Sequence, residues 1–157
     1  MSVIALRPVE DRDLDALFDQ MRDPASVQMA AFSAEHPDDE AAFRAHMTGQ
    51  RNSPGITLRA ITCNGQLAGS IASFVFQGQT EITYWIDRAA WGRGIASRAL
   101  TLFLELVPTR PLYAYVASDN TGSLRVLQKA GFQIIGTETC FAHVRNSQIQ
   151  ETILRKD

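Results

Sequence analysis

Apolar and polar positions along this chain follow two periods, and the switches between them mark its elements. Val3 to Arg7 reads as a first strand closed by Pro8. From Asp11 to Arg22, Leu14, Leu17, Phe18 and Met21 recur on one helical face, with Asp11 or Asp13 suited to the first turn. Pro24 is expected to end that helix. Val27 to Ala34 is apolar and fits either period. His36-Pro37-Asp38-Asp39-Glu40 reads as a loop and helix start, leading into a second helix through Phe43, Met47 and Thr48. Gly49 and the cluster Asn52-Ser53-Pro54-Gly55 are expected to stop it.

Strand patterning then takes over. Ile56 to Cys63 and Gln66 to Phe76 are predicted to pair through Asn64-Gly65, the strongest short hairpin signal in the chain. Gly78-Gln79 is read as a second tight connection, into Thr80 to Asp87. Helical spacing returns with Ile95, Ala99, Leu102, Phe103 and Leu106, and Pro108 and Pro111 bracket the way to the strand Leu112 to Ala117. Asn120 to Ala130 is a further helix, with Leu124, Leu127 and Ala130 inward and Gly131 at its left-handed C′ position. Phe132 to Phe141 and Gln148 to Leu154 close the chain as strands. The order β-α-α-β-β-β-α-β-α-β-β predicts a mixed α/β (α+β) sheet with helices on both faces. Its Thr80 to Ala117 unit is a β-α-β crossover, so those two strands are expected to be parallel with a right-handed connection.

Composition narrows the function classes. A chain of 157 residues is expected to form one domain (1–157), burying roughly 68–70% of its unfolded surface. A net charge of −2 predicts no bulk attraction to nucleic acid or anionic membrane, so any phosphate site must be local. No apolar run approaches the roughly 20 residues of a membrane span. After Met1, the stretch Ser2 to Asp13 is broken by Arg7, Pro8, Glu10, Asp11 and Arg12, unlike a secretory signal. Cys63 and Cys140 stand apart without metal-ligand spacing, which points to two buried, inert thiols, no metal and a reducing cytoplasm.

Local phosphate chemistry is offered by Trp91-Gly92-Arg93-Gly94-Ile95-Ala96, where a strand hands over to a helix. The first N–H groups of a helix lack intrahelical partners and its dipole is positive there. Glycines let an anion approach the backbone, and Arg93 adds a full charge. A dinucleotide turn needs a third glycine where this chain has Ser97, and a triphosphate loop needs a lysine that is missing. A turn that only packs helix against strand is the bland alternative.

A second constellation follows in order: Asn120, Ser123, Val126, Leu127, Lys129, Gly131 and Phe132 match N-x-x-S-x-x-[VL]-[LA]-x-[KR]-x-G-F. With Gly94 and Ala96 in [Q/R]-x-x-G-x-[G/A], this resembles the GNAT superfamily of acyl-CoA-dependent N-acyltransferases. The branch it is most similar to holds the ribosomal-protein serine/alanine N-terminal acetyltransferases (RimJ/RimL-like) and related polyamine and antibiotic enzymes. Trp91 departs from the usual Gln or Arg.

The resemblance implies a mostly antiparallel sheet whose central parallel pair splays apart to hold acetyl-CoA. Its pyrophosphate is expected on the backbone of Gly92, Arg93, Gly94, Ile95, Ala96 and Ser97. The pantetheine arm is expected along Tyr84, Trp85 and Ile86 like an added strand. Asn120 and Ser123 are expected near the pantetheine amide and the sulfur, or simply as caps of their own helix. The amine attacks directly in such enzymes, so no nucleophilic triad is needed. Glu81 is the candidate general base, through water, against the alternative of an idle strand-end carboxylate; Ser123 is the candidate donor to the leaving thiolate. The helix after Asn120 lacks the tyrosine that many members carry there.

The predicted activity is acetyl transfer to a primary amine, of a protein N-terminus or a small molecule, and a homodimer is compatible with the branch. A silent CoA-binding or interaction module of the same fold is the rival reading.

Overall fold

The computed structural model describes residues 2–32, 34 and 36–157. Its elements are β1 (Ile4–Arg7), α1 (Leu14–Arg22), α2 (Pro24–Ala30), α3 (Glu40–Asn52), β2 (Thr57–Cys63), β3 (Gln66–Phe76), β4 (Gln79–Ile86), α4 (Ile95–Leu106), β5 (Leu112–Ala117), α5 (Thr121–Lys129), β6 (Gln133–Ala142) and β7 (Ser147–Lys156). Met1, with which the leader reading began, and Ser33, inside the ambiguous Val27 to Ala34 stretch, lie outside the described residues.

Three sequence expectations are corrected. Pro24 does not end a helix; it opens α2 at the first position, where its missing N–H costs nothing, and Asp23 caps that helix by accepting from Ser26 N at 3.0 Å. There are thus three early helices, not two. Gly49 lies within α3, which runs on to Asn52. A mid-helix glycine costs about 1 kcal/mol against alanine, and burial of Met47, with Phe43 packed beside it, offsets that. The turn after β3 is Gln77-Gly78 rather than Gly78-Gln79, with both residues left-handed (φ +51° and +78°) as a type I′ turn requires. Asn64-Gly65 forms the expected hairpin with φ of +53° and +81°.

The strands form one sheet in the order β1-β2-β3-β4-β5-β7-β6. All neighbours are antiparallel except β4 and β5, which are parallel as the crossover requires. On one face, α4 and α5 bury Ile95, Leu100, Phe103 and Leu127 against Ile61, Ile71, Ile82 and Leu112. On the other, α1 and α3 cover Leu58, Ala60 and Ala72. That second layer lies over β2 and β3, whereas Thr83 on β4 and Glu138 on β6 stay exposed.

The feature that positions the site is the early parting of the parallel pair. Strands β4 and β5 pair only at Thr80 with Leu112 and Glu81 with Tyr113. Beyond Glu81 the β5-facing edge of β4 has no ladder partner, which leaves backbone donors and acceptors available. The opposite edge of β4 is held tightly by β3. A Cβ at Gly69 would lie 2.0 Å from the Trp85 carbonyl oxygen, so only glycine permits that approach.

Candidate active site

The opening between β4 and β5 is a passage through the sheet. A cavity of about 440 Å³ lies on the α4–α5 side and one of about 300 Å³ on the α1–α3 side. Both are lined by Ala30, Tyr84, Trp85, Asn120 and Ser123, so these residues form the waist of the passage.

The larger cavity begins at the glycine turn. Gly94 caps α4 with φ +75° and no side-chain hydrogen bond, and the first intrahelical bond is donated by Arg98 N to Gly94 O at 3.2 Å. The three N–H groups before it therefore await an acceptor. Helix α5 differs, because Asn120 Oδ1 accepts from Ser123 N at 3.3 Å and fills its own terminus. A Cβ built at Gly92 or Gly94 meets nothing within 4 Å, so open space stands where an anion would sit. Gly92, Gly94, Ile95, Ala96 and Ser97 all line this cavity. The donor-rich turn and the unpaired β4 edge together fit the pyrophosphate and pantetheine of an acyl-CoA.

For Arg93 only the side chain departs from the expectation. Its guanidinium points to Cys63 Sγ at 3.7 Å, and Arg93 does not line the cavity. Positive charge comes instead from Arg125 and Lys129, one turn apart on α5. Only the i, i+4 spacing of the two residues hinted at this in the sequence. Trp91, the departure from the family pattern, lines the cavity and donates from Nε1 to Ile86 O at 3.0 Å. The indole thus takes up a carbonyl at the end of β4.

At the waist, the Tyr84 hydroxyl lies 2.7 Å from Ser123 Oγ. Burial pushes the Tyr84 hydroxyl up to about 12, with the Ser123 hydrogen bond pulling the other way. Sequence reasoning missed this pair, since it sought a tyrosine on α5 and the structure supplies one from β4. Trp85 points to the other face and donates from Nε1 to Gln20 O at 3.0 Å, tying α1 to the waist. Ala31 adopts φ +64° and Phe32 N bonds to Ala30 O at 2.7 Å, a strained three-residue turn that leads Phe32 into the smaller cavity.

Glu81 stands at the vertex, opposite Tyr113, and lines neither cavity. Burial raises its carboxyl above the usual range. Thr83, two residues further along the same face, does line the smaller cavity. On that face β7 adds Glu151, paired in register with Glu138 of β6. Cys140 is half-buried rather than buried, with Sγ 3.8 Å from Glu151 Oε1; burial and the two carboxylates raise its thiol. These three could hold a metal ion by distance alone, a grouping that spacing along the sequence did not reveal.

Comparison with known proteins agrees with this architecture. The acetyltransferase (GNAT) domain family matches residues 4–133, and the chain belongs to it. It is an acetyl-CoA-dependent N-acetyltransferase. YwnH of Bacillus subtilis (strain 168), provisionally named a phosphinothricin acetyltransferase, is 28% identical over 140 residues, covering 82% of this chain and 83% of its own. The fold recurs among solved acetyltransferase structures. A GNAT superfamily phosphinothricin acetyltransferase from Sinorhizobium meliloti, in complex with acetyl-CoA, superposes with TM-score 0.83 at 16% identity over 98% of this chain and 87% of that one. RimJ from Mycobacterium smegmatis, in complex with a CoA disulfide, gives 0.79 at 22% identity over 98% and 81%. No helix among the described residues is long and apolar enough to cross a membrane.

Proposed function

We propose that the passage between β4 and β5 is the reaction channel, with acetyl-CoA entering from the α4–α5 side and a primary amine from the α1–α3 side. The observation that carries this reading is the shared waist, where two cavities on opposite faces meet at Tyr84, Trp85, Asn120 and Ser123. Acetyl-CoA supplies the thioester carbonyl and a thiolate leaving group. The N–H groups from Gly92 to Ser97 bind the pyrophosphate, and Arg125 and Lys129 add charge to the same groove. The unpaired edge of β4 aligns the pantetheine and directs an N–H at the developing oxyanion, worth about 3 kcal/mol per donor.

Glu81 takes the ammonium proton through water, since it lies behind Thr83 rather than in the lining. The Ser123 hydroxyl, oriented by Tyr84, gives a hydrogen bond to the departing sulfur and relays to it the proton that the attacking nitrogen releases as the amide forms, so that the serine ends protonated. The C–N bond forms as the C–S bond breaks, without a covalent enzyme intermediate. Asn120 holds α5 in place by its cap.

The acceptor is a primary amine, of a protein N-terminus or a small molecule. Its test is a thiol-release screen with acetyl-CoA against a panel of amines and N-terminal peptides. Turnover with at least one acceptor is expected; CoA binding without turnover on any would instead favour the silent binding module.

A further inference from the structure

Resting on that reading of the channel, the charges around the smaller cavity select among amines. The cavity wall is mixed, with Trp85, Met47 and Phe32 beside Gln50, Ser70 and Thr83, and His46 is the only ionisable nitrogen in the lining among the described residues. Beyond the wall, on the same open sheet face, stand three carboxylates. Glu151 is the register partner of Ala117, which lines the cavity; Glu138 lies opposite Glu151; Glu81 is two residues from the lining Thr83. None of the three forms an ion pair among the described residues. All three raise the hydroxyl of Tyr115, after the effect of its own burial; Tyr115 lines the cavity, and its hydroxyl donates to Gln79 Oε1 at 2.9 Å.

Cations nearby are already engaged. Arg22 is held by Asp38, Arg44 by Asp15 and Glu40, Arg88 by Asp23 and Arg145 by Asp119. Arg155, on the sheet face itself, lies over the Tyr113 ring at 5.7 Å and bonds Asp157 at 2.7 Å. A carboxylate or phosphinate entering the cavity would lose water and meet no arginine or lysine in the described lining, only His46. A second ammonium would meet the negative charge of Glu81 and of the Glu138–Glu151 pair, which is complete only once pH passes about 7.

We propose that the acceptor of this enzyme is a small amine bearing a second positive charge and no anionic group, of the diamine or polyamine class. The acceptor named for YwnH and for the Sinorhizobium meliloti enzyme is of the opposite kind, an amino acid carrying anionic groups.

A length-matched trio tests this: 1,4-diaminobutane, butylamine and 4-aminobutanoate, which differ only in the charge at the far end, with phosphinothricin as a fourth amine. Thiol release is measured on the full chain at pH 8, above the point where Glu151 gives up its proton, and calorimetric binding of each amine is measured on the CoA-loaded protein at the same pH. The expected order in kcat/KM and in affinity is diamine, then monoamine, then amino acid, with roughly tenfold at each step, the factor that 1.4 kcal/mol of interaction gives. Glu151→Gln and Glu138→Gln, checked for thermal stability, are each expected to narrow the diamine-to-amino-acid ratio severalfold. Turnover in which 4-aminobutanoate or phosphinothricin equals or exceeds the diamine overturns the inference and leaves the channel reading intact. The expected order in binding with no turnover upholds the charge selection and overturns the channel reading. Binding or turnover without charge order, or an unchanged ratio in both variants, also overturns the inference.

Discussion

The Tyr84 hydroxyl and the Ser123 Oγ lie 2.7 Å apart, joining the splayed strand β4 to the first turn of α5 at the waist of the channel. The pair brings the family's missing helix tyrosine back by another route. Each hydroxyl orients the other, and in the proposed reaction the two would act on the sulfur as a unit. Ser123→Ala and Tyr84→Phe are each expected to lower kcat by about 10²-fold, the low end for a proton donor. The double variant should lose little more than either single one, while CoA affinity changes less than severalfold. Additive losses in a kinetic double-mutant cycle, or equal loss of stability and rate in Ser123→Ala, would reduce Ser123 to a helix-terminal residue.

Gly94 should tolerate no β-branched side chain. Its φ of +75° excludes valine on steric grounds, and the added atoms would occupy the open space over the α4 N–H groups. Gly94→Val is expected to weaken CoA binding by at least about 30-fold, roughly 2 kcal/mol, in a calorimetric titration. Gly49→Ala, in the middle of α3 and with free space at its Cβ, should instead stabilise the fold by about 0.5–1 kcal/mol. Unchanged CoA affinity in Gly94→Val would falsify the cradle.

Arg125 and Lys129 are expected to act as phosphate ligands by charge. Arg125→Ala with Lys129→Ala should raise the Kd for CoA and flatten its dependence on salt, while leaving the Kd of free pantetheine unaltered. Equal weakening of both ligands would point to damaged packing of α5 instead.

If Glu81 is the base, Glu81→Gln is expected to cut turnover most at low pH, where little acceptor is present as free amine. The deficit should shrink as pH climbs toward the acceptor's own pKa, with CoA binding unchanged. Because burial raises the Glu81 carboxyl, the wild-type rate should begin its rise above the ordinary glutamate range. A wild-type pH–rate curve from the variant would leave Glu81 an idle strand-end carboxylate.

Glu151 governs a stability trend. Burial, and then Glu138 beside it, push its carboxyl up to about 7 in the folded protein, against an ordinary value of 4.5. The folded state therefore binds a proton that the unfolded state releases between those values. This contribution is fully present below pH 4.5 and is lost as pH rises to about 7. Glu151→Gln should flatten the decline and make the protein more stable than wild type at pH 8. The gain is on the order of 1 kcal/mol, because solvent screening removes much of the full linkage. Denaturant melts of both proteins at pH 5 and pH 8 measure it; a variant that declines like wild type rules the assignment out.

The sequence alone determined what is local. The hairpin at Asn64-Gly65, the parallel crossover and the glycine turn at the start of α4 each depend on a few consecutive residues or on one periodicity. Together with the motif from Asn120 to Phe132, the glycine turn carried the family resemblance, and the resemblance made the cofactor class legible before any coordinates. Its limits were also local: Pro24 serves a helix start as well as a helix stop, and neighbouring residues do not distinguish the two.

What the tertiary structure decided depends on distance along the chain. Tyr84 and Ser123 are 39 residues apart, and Glu138 and Glu151 meet only because β6 and β7 pair in one register. Arg93 turned out to face Cys63 across 30 residues, so its charge goes elsewhere. The point at which β4 leaves β5, after Glu81, sets which side chains form the waist and which stand outside it. Sequence patterning assigns residues to faces of a strand, but register and splay decide which faces meet.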